Sequence, residues 1–244
     1  MKKILSLWST PRSRSTAFMW MMKTRGDYVV LLEPFARSAY YSPERIFKDR
    51  SDLPLLPENN YQVFLQDLIQ KSQKVQLFVK DFPYYFLQIV DEQFLSLFQH
   101  TFLIRDPAQM LPSYFYKWPD LTFEETGYQQ NYQLFEKVVS FTGEIPPLID
   151  ADDLVKNPTS IVQVYCQRVG IPFLLQALNW ETPDKKVKEM SHNDGSWLET
   201  VSVSQGFNIQ SNPNYLNVNQ NDRLKQLYDL CLPYYEKLSV YRLR

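Results

Sequence analysis

Cysteine, histidine and glycine are all scarce: 2, 2 and 6 of 244 residues. Two cysteines, Cys166 and Cys231, build no disulfide framework, and with no CxxC pair and only His100 and His192 the common zinc sites are excluded. The few glycines never fall in a GxxxxGK or GxGxxG arrangement, which rules out an ordinary Walker A loop and a dinucleotide fingerprint. No apolar run approaches the ~20 residues of a membrane span. The Met-Lys-Lys-Ile-Leu start mimics a secretory leader but turns polar at Ser9-Thr10-Pro11-Arg12, far too early for one. A soluble, cytoplasmic protein with no membrane partner is expected.

What is present is a core. Hydrophobic residues make up 44% and charged residues 22%, so disordered and coiled-coil readings fail and one domain over 1–244 is expected. The net charge of −1 hides an asymmetry. Residues 1–26 hold Lys2, Lys3, Arg12, Arg14, Lys23 and Arg25 and no acid, leaving 20 bases against 27 acids in the remainder. That is no coat for nucleic acid; a positive focus at one end suits a compact anionic ligand. A chance surface distribution is the plain alternative.

Lys3–Ser9 reads as a first strand, and the apolar run from Ser15 to the stop at Gly26 as a helix with Ser13 or Ser15 as its N-cap. Further strands are expected at Tyr28–Glu33, Gln76–Lys80, His100–Arg105 and near Pro147–Ala151. Helices are expected at Asn60–Ser72, from Pro158 to Gly170, and at Asp222–Leu238. Residues 191–221, rich in Ser, Asn, Gln and Gly, read as a long loop or lid. Continuous apolar strands alternating with helices predict an α/β fold: a central, mostly parallel sheet of four to five strands flanked by helices.

Two constellations carry chemistry. The segment Trp8-Ser-Thr-Pro-Arg-Ser-Arg-Ser-Thr-Ala-Phe18 lies between a strand and a helix, a junction that aims N–H groups and the positive end of the helix dipole at one point. Arg12 and the hydroxyls of Ser13, Ser15 and Thr16 would complete an anion cradle; a capped helix behind a basic turn is the alternative. Second, Arg105 leaves the strand that ends in Asp106-Pro107, where the ligand crevice of an open α/β sheet opens. Ser113 follows about two helical turns later. An Arg105–Asp106 surface pair is the alternative there.

On these residues the chain resembles the sulfotransferases. Pro11-Arg12-Ser13-Arg14-Ser15-Thr16 is similar to their 5′-phosphosulfate loop, commonly Pro-Lys-Ser-Gly-Thr-Thr, and Arg105 with Ser113 to their Arg-x7-Ser 3′-phosphate element. Weaker matches are Glu33-Pro34-Phe35, Phe78-Val-Lys-Asp-Phe-Pro83, Ile149-Asp-Ala-Asp-Asp-Leu154 and Val164–Pro172 with Trp180, the last looking like the bacterial small-molecule branch. The resemblance implies a P-loop-like fold and a donor, 3′-phosphoadenosine 5′-phosphosulfate (PAPS), leaving as adenosine 3′,5′-bisphosphate. Arg12, Ser13, Arg14, Ser15 and Thr16 would hold its 5′ end, and Arg105 and Ser113 its 3′-phosphate, with no metal required.

The implied reaction is in-line sulfuryl transfer to a hydroxyl or amine of a small-molecule acceptor. Arg12 stands at the family's loop-lysine position, and Lys80 is the candidate for the bridging or sulfuryl oxygens. The histidine that cytosolic members carry just after that strand's lysine is absent here. Glu33 is the preferred base, as the similar Glu-Pro of trehalose sulfotransferases implies, with Asp81 next and His100 poorly placed. Tyr40, Tyr41, Tyr84, Tyr85 and Phe86 could line an acceptor pocket or pack the core, and His192, Trp197, Ser204 and Gly206 fall in the lid region. A non-catalytic nucleotide-binding protein on this fold and a divergent P-loop phosphotransferase are the competing readings.

Overall fold

The computed structural model describes residues 3–46, 54–181, 204–207 and 214–244. Five strands form one sheet in the order β2-β3-β1-β4-β5: β1 (Ile4–Ser9), β2 (Val29–Leu32), β3 (Leu77–Asp81), β4 (Phe98–Ile104) and β5 (Leu148–Asp150). Every pairing is parallel, with Leu7 opposite Lys80 and Thr101, Leu32 opposite Lys80, and Ile104 opposite Asp150. Among the described residues the helices are α1 (Ser15–Arg25), α2 (Ala36–Tyr41), α3 (Tyr61–Ser72), α4 (Glu92–Leu97), α5 (Pro107–Lys117), α6 (Phe123–Thr126), α7 (Tyr128–Thr142), α8 (Ala151–Lys156), α9 (Pro158–Val169) and α10 (Asp222–Ser239). No described helix is long and apolar enough to cross a membrane.

Strand periodicity divides the core into two layers. Ile4 and Trp8 of β1 join Leu77, Val79, Phe98, Phe102 and Ile104 beneath α3, α4 and α7. Leu5 and Leu7 face the other way, joining Phe78, Leu103 and Ile149 against α1, α8 and α9. A parallel sheet covered on both faces needs such continuously apolar strands. The apolar surround of α1, with Phe18, Met19, Met21 and Met22 wholly buried, follows from its place in the second layer. At the edge of the sheet the Leu243 N–H donates to the Leu148 carbonyl, so one acceptor of the open β5 ladder is satisfied within the chain.

His100 belongs to the first layer. Its Nδ1 accepts from Trp8 Nε1 at 2.8 Å, which leaves Nε2–H to donate to the Leu95 carbonyl at 2.9 Å. Burial holds the imidazole down at about 4, so it is neutral and structural.

Candidate active site

The expected site residues lie at the carboxyl ends of the strands or in the turns leaving them, except Ser15 and Thr16 in the first turn of α1 and Ser113 within α5. The order of the sheet reverses about β1, from which the chain runs to β2 and β3 on one side and β4 and β5 on the other. A crevice at the strand ends is where such a sheet binds ligands.

The turn from β1 to α1 is built without glycine. Arg12 and Arg14 take the left-handed conformation, with φ of 55° and 67°. Exposure alternates along it: Pro11, Ser13 and Ser15 are buried, whereas Arg12, Arg14 and Thr16 reach partly into solvent. Ser13 Oγ donates to the Thr10 carbonyl at 2.6 Å, closing the turn, so in this arrangement Ser13 offers the crevice its backbone rather than its hydroxyl proton. The N-cap of α1 is the left-handed Arg14, one residue after Ser13 and one before Ser15, the two expected caps, and its side chain makes no capping bond to α1. Its opening N–H groups are therefore left for a ligand or water.

Arg105 meets this turn from the neighbouring strand. Its Nη1 donates to the Arg12 carbonyl at 3.0 Å, while the Tyr128 hydroxyl donates to the Arg105 carbonyl at 2.6 Å. The side chain is 12% exposed, and its Nε lies 3.9 Å from an Asp152 carboxylate oxygen and has no hydrogen-bond acceptor among the described residues. Burial, then the nearby Arg14 charge, brings the Arg105 guanidinium down to about 10, and burial lowers Arg14 as well. The Arg14 and Arg12 charges are thus both felt at Arg105. Ser113 is less well placed: it is buried on α5, its hydroxyl donates to the Met110 carbonyl at 2.9 Å, and no hydrogen bond joins it to Arg105.

Across β1, the ends of β2 and β3 hold the second group. Glu33 leaves β2 with φ 48°, its N–H bonded to the Lys80 carbonyl at 2.7 Å. Its carboxylate pairs with the Lys80 ammonium, which stands 3.6 Å over the Phe82 ring. Lys80 is sealed at 1% exposure and Glu33 reaches solvent at 21%, so the carboxylate is the member of the pair open to a substrate. Burial lowers the Lys80 ammonium, and the Glu33 and Asp81 carboxylates oppose it. Asp81 is wholly buried and takes backbone N–H groups from Phe35 at 2.9 Å and Phe82 at 2.7 Å, one on each oxygen. It therefore clamps the two strand exits that carry Glu33 and Lys80. Burial and the Glu33 charge nonetheless push its carboxyl up.

Buried aromatic rings pack beside this pair, and Phe82, Tyr84 and Tyr85 belong to the first core layer. Tyr84 and Tyr85 pack with ring centroids 4.4 Å apart, Phe82 stacks on Tyr84 at 5.7 Å, and Tyr40 meets Tyr85 at 5.7 Å. Burial raises the phenols of Tyr84, Tyr85 and Tyr114, keeping them neutral, and the Glu33 charge is felt at Tyr85 and Tyr114. Gly127 (φ +74°) lets α7 approach: a Cβ there would stand 3.0 Å from Tyr84 Cδ1 and 3.5 Å from Pro11 Cδ. Phe86 is core, packed on Trp8 and Phe35 at 5.0 Å each.

Of the lid residues, His192 and Trp197 lie outside the described residues, as do 191–203 and 208–213. Gly206 bridges to Asn179, and Phe207 packs on Trp180 at 5.3 Å and Phe18 at 6.4 Å, which ties residues 204–207 to the α1 layer. Sequence reasoning assigned no role to Asp152, Tyr114 or Tyr128. Asp152 lay within the quoted Ile149–Leu154 segment, and the signal that it faces Arg105 is the pairing of β4 with β5.

The parallel sheet thus brings Arg12, Arg14 and Arg105 to the exits of two adjacent strands, β1 and β4, and the Glu33–Lys80 pair to the ends of β2 and β3. The family pattern described as "sulfotransferase domain" matches residues 1–241, and the chain belongs to that family. It is 30% identical over 98% of its length to the branched-chain-amino-acid aminotransferase-like protein 2 of Arabidopsis thaliana, spanning 42% of that longer protein. The sulfotransferase ppzF of Metarhizium majus (strain ARSEF 297) is 21% identical, over 65% of this chain and 56% of its own. Among solved structures, a sulfotransferase from Alicyclobacillus acidocaldarius shares the fold, with a TM-score of 0.52 at 10% identity over 100% of this chain and 98% of its own. So does the sulfotransferase domain from the curacin biosynthetic pathway, with a TM-score of 0.50 at 17% identity over 98% of each chain. The expected α/β fold, with a mostly parallel sheet of four to five strands, is thus borne out by five parallel strands.

Proposed function

We propose that this sulfotransferase-family chain uses PAPS to sulfate a hydroxyl, or an amine, of a small-molecule acceptor. The observation that supports the reading is the hydrogen bond from Arg105 Nη1 to the Arg12 carbonyl at 3.0 Å, which joins the exit of β4 to the β1–α1 turn. The donor set fits the group: three guanidiniums, the uncapped N–H groups of α1 and a buried Arg105 Nε without an acceptor all present hydrogens to oxyanions.

When bound, the donor supplies a sulfuryl group whose in-line displacement gathers negative charge on the departing phosphate oxygen. Arg12 and the first-turn N–H groups of α1 stabilise charge there. Arg105 holds the far phosphate, and Arg14, which the resemblance places at the 5′ end, lends its charge there as well, so that AMP, lacking that phosphate, binds poorly. Glu33, paired with Lys80, takes the acceptor proton, and Lys80 keeps that carboxylate oriented. Asp81 fixes both strand exits through the Phe35 and Phe82 N–H groups. The neutral phenols of Tyr84, Tyr85 and Tyr114 form the acceptor wall, suited to an uncharged ring or polyol.

Calorimetry tests the reading directly. Adenosine 3′,5′-bisphosphate is expected to bind at least about a hundredfold tighter than AMP, since a buried charged contact contributes about 1.5–3 kcal/mol and two arginines share the phosphate. Equal affinities would remove the PAPS reading.

A further inference from the structure

Three acids occupy the end of β5 and the first turn of α8, and the fold gives each a different duty. Asp150 caps α8, accepting from Asp152 N–H at 2.8 Å, and receives the Tyr235 hydroxyl at 2.9 Å. Asp153 pairs with Arg242 at 3.0 Å, tying down the chain end. Asp152 alone of the three turns to the candidate phosphate cluster: an oxygen lies 3.9 Å from Arg105 Nε, and its charge also acts on Arg14. It is one-third exposed, whereas Arg105 is nearly sealed.

We infer that Asp152 is an affinity-setting residue: a built-in counter-anion that occupies the Arg105–Arg14 pair between turnovers and weakens the hold on the nucleotide phosphate, so that the product leaves. The inference rests on the nucleotide reading above and deepens it. A cluster of guanidiniums buried beside one another repels itself, and a fixed carboxylate relieves that repulsion when the crevice is empty. A phosphate entering the same cluster meets that carboxylate as a like charge, which opposes binding and speeds release. Position alone could give the opposite sign, because a carboxylate that merely orients Arg105 would strengthen binding. The direction of the effect therefore separates the two roles.

The test compares the whole chain with Asp152→Asn and Asp153→Asn, using calorimetry with adenosine 3′,5′-bisphosphate and with AMP, and stopped-flow displacement for the dissociation rate. Asn keeps the size of the side chain and removes its charge. Asp152→Asn is expected to tighten the bisphosphate about tenfold, or ~1.4 kcal/mol, mostly through slower dissociation, while changing AMP by less. Asp153→Asn, which removes the same charge one residue away, is expected to leave the affinity within about twofold, its distance and screening reducing any field effect. Unchanged or weaker bisphosphate binding in Asp152→Asn would overturn the inference, as would equal tightening in both variants. Should the wild-type chain show no preference for the bisphosphate over AMP, the nucleotide reading itself falls and takes this role with it. Melting temperatures recorded beside each titration ensure that affinities are compared between folded proteins.

Discussion

Replacing Arg105 by alanine separates its two duties. The guanidinium is 12% exposed and gives one hydrogen bond, to the Arg12 carbonyl, while its Nε remains for a ligand. A hydrogen bond from a charged group contributes about 1.5–3 kcal/mol. Losing one or two such bonds to a phosphate should weaken adenosine 3′,5′-bisphosphate by about 2–4 kcal/mol, or roughly 30- to 800-fold. AMP engages only the β1–α1 turn, so its affinity should fall by no more than about tenfold, through the lost brace on Arg12. Titration calorimetry with both ligands on Arg105→Ala and Arg105→Lys measures this, with thermal unfolding as the control for the fold. Lysine restores charge without the planar fork and should recover only part of the loss. An equal loss for both nucleotides would mean that Arg105 acts only through the turn, and unchanged affinities would remove it as a phosphate anchor.

Glu33→Gln should lower sulfuryl transfer at least about a hundredfold with bisphosphate affinity intact; normal turnover would shift the base elsewhere. The same change leaves the sealed Lys80 ammonium without its counter-ion, costing about 3 kcal/mol of stability by urea unfolding, and adding Lys80→Met to Glu33→Gln should restore part of that loss. Asp81→Asn offers one oxygen where two N–H groups need acceptors, so it should cost about 1–3 kcal/mol and reduce turnover without touching nucleotide affinity; an unaltered melting temperature would refute the clamp. His100 is held neutral, its native value of about 4 lying below the unfolded 6.5, so its contribution is complete above pH 6.5 and is lost as pH falls toward 4. That loss amounts to about 3 kcal/mol, and a non-titrating His100→Gln variant should show correspondingly less acid destabilisation; parallel curves would exclude the effect.

Strand positions were the most legible feature, because a parallel sheet buried on both sides demands uninterrupted apolar runs and each one stops at a polar residue. Arg12, Glu33, Lys80 and Arg105 could be placed at strand ends on that basis alone, and the fold brings them there. The N-cap of α1 is not legible because Ser13 and Ser15 have good capping chemistry, whereas Arg14 between them takes the position in a conformation its type rarely adopts. The short α2, α4, α6 and α8 carry too few turns for a period to show. Asp152 was illegible for another reason. Three acids in four residues look alike in sequence, and only the Ile104–Asp150 register decides which of them faces Arg105. Likewise the hydroxyl of Ser13 suggested phosphate binding, but a serine three residues after a free carbonyl can close its own turn, and here it does.

Scarcity of glycine and the chemistry of the site are linked through the backbone. Arg12, Arg14 and Glu33 are the only non-glycine residues with positive φ among those described, and all three are site residues. Each such residue costs about 1–2 kcal/mol that a glycine would not incur, so the conformation must be imposed from outside. Arg12 is held by Arg105 on its carbonyl, Arg14 by the Phe18 N–H on its own, and Glu33 by the bonds of its N–H to Lys80 and its carbonyl to Ala36. Glycine would relax every one of these turns, as it does in ordinary phosphate loops, but each substitution would delete a guanidinium or the carboxylate. The strain therefore follows from making a single residue serve as both hinge and charge, and the neighbours that enforce the hinge, Arg105 and Lys80, are themselves charges of the same site.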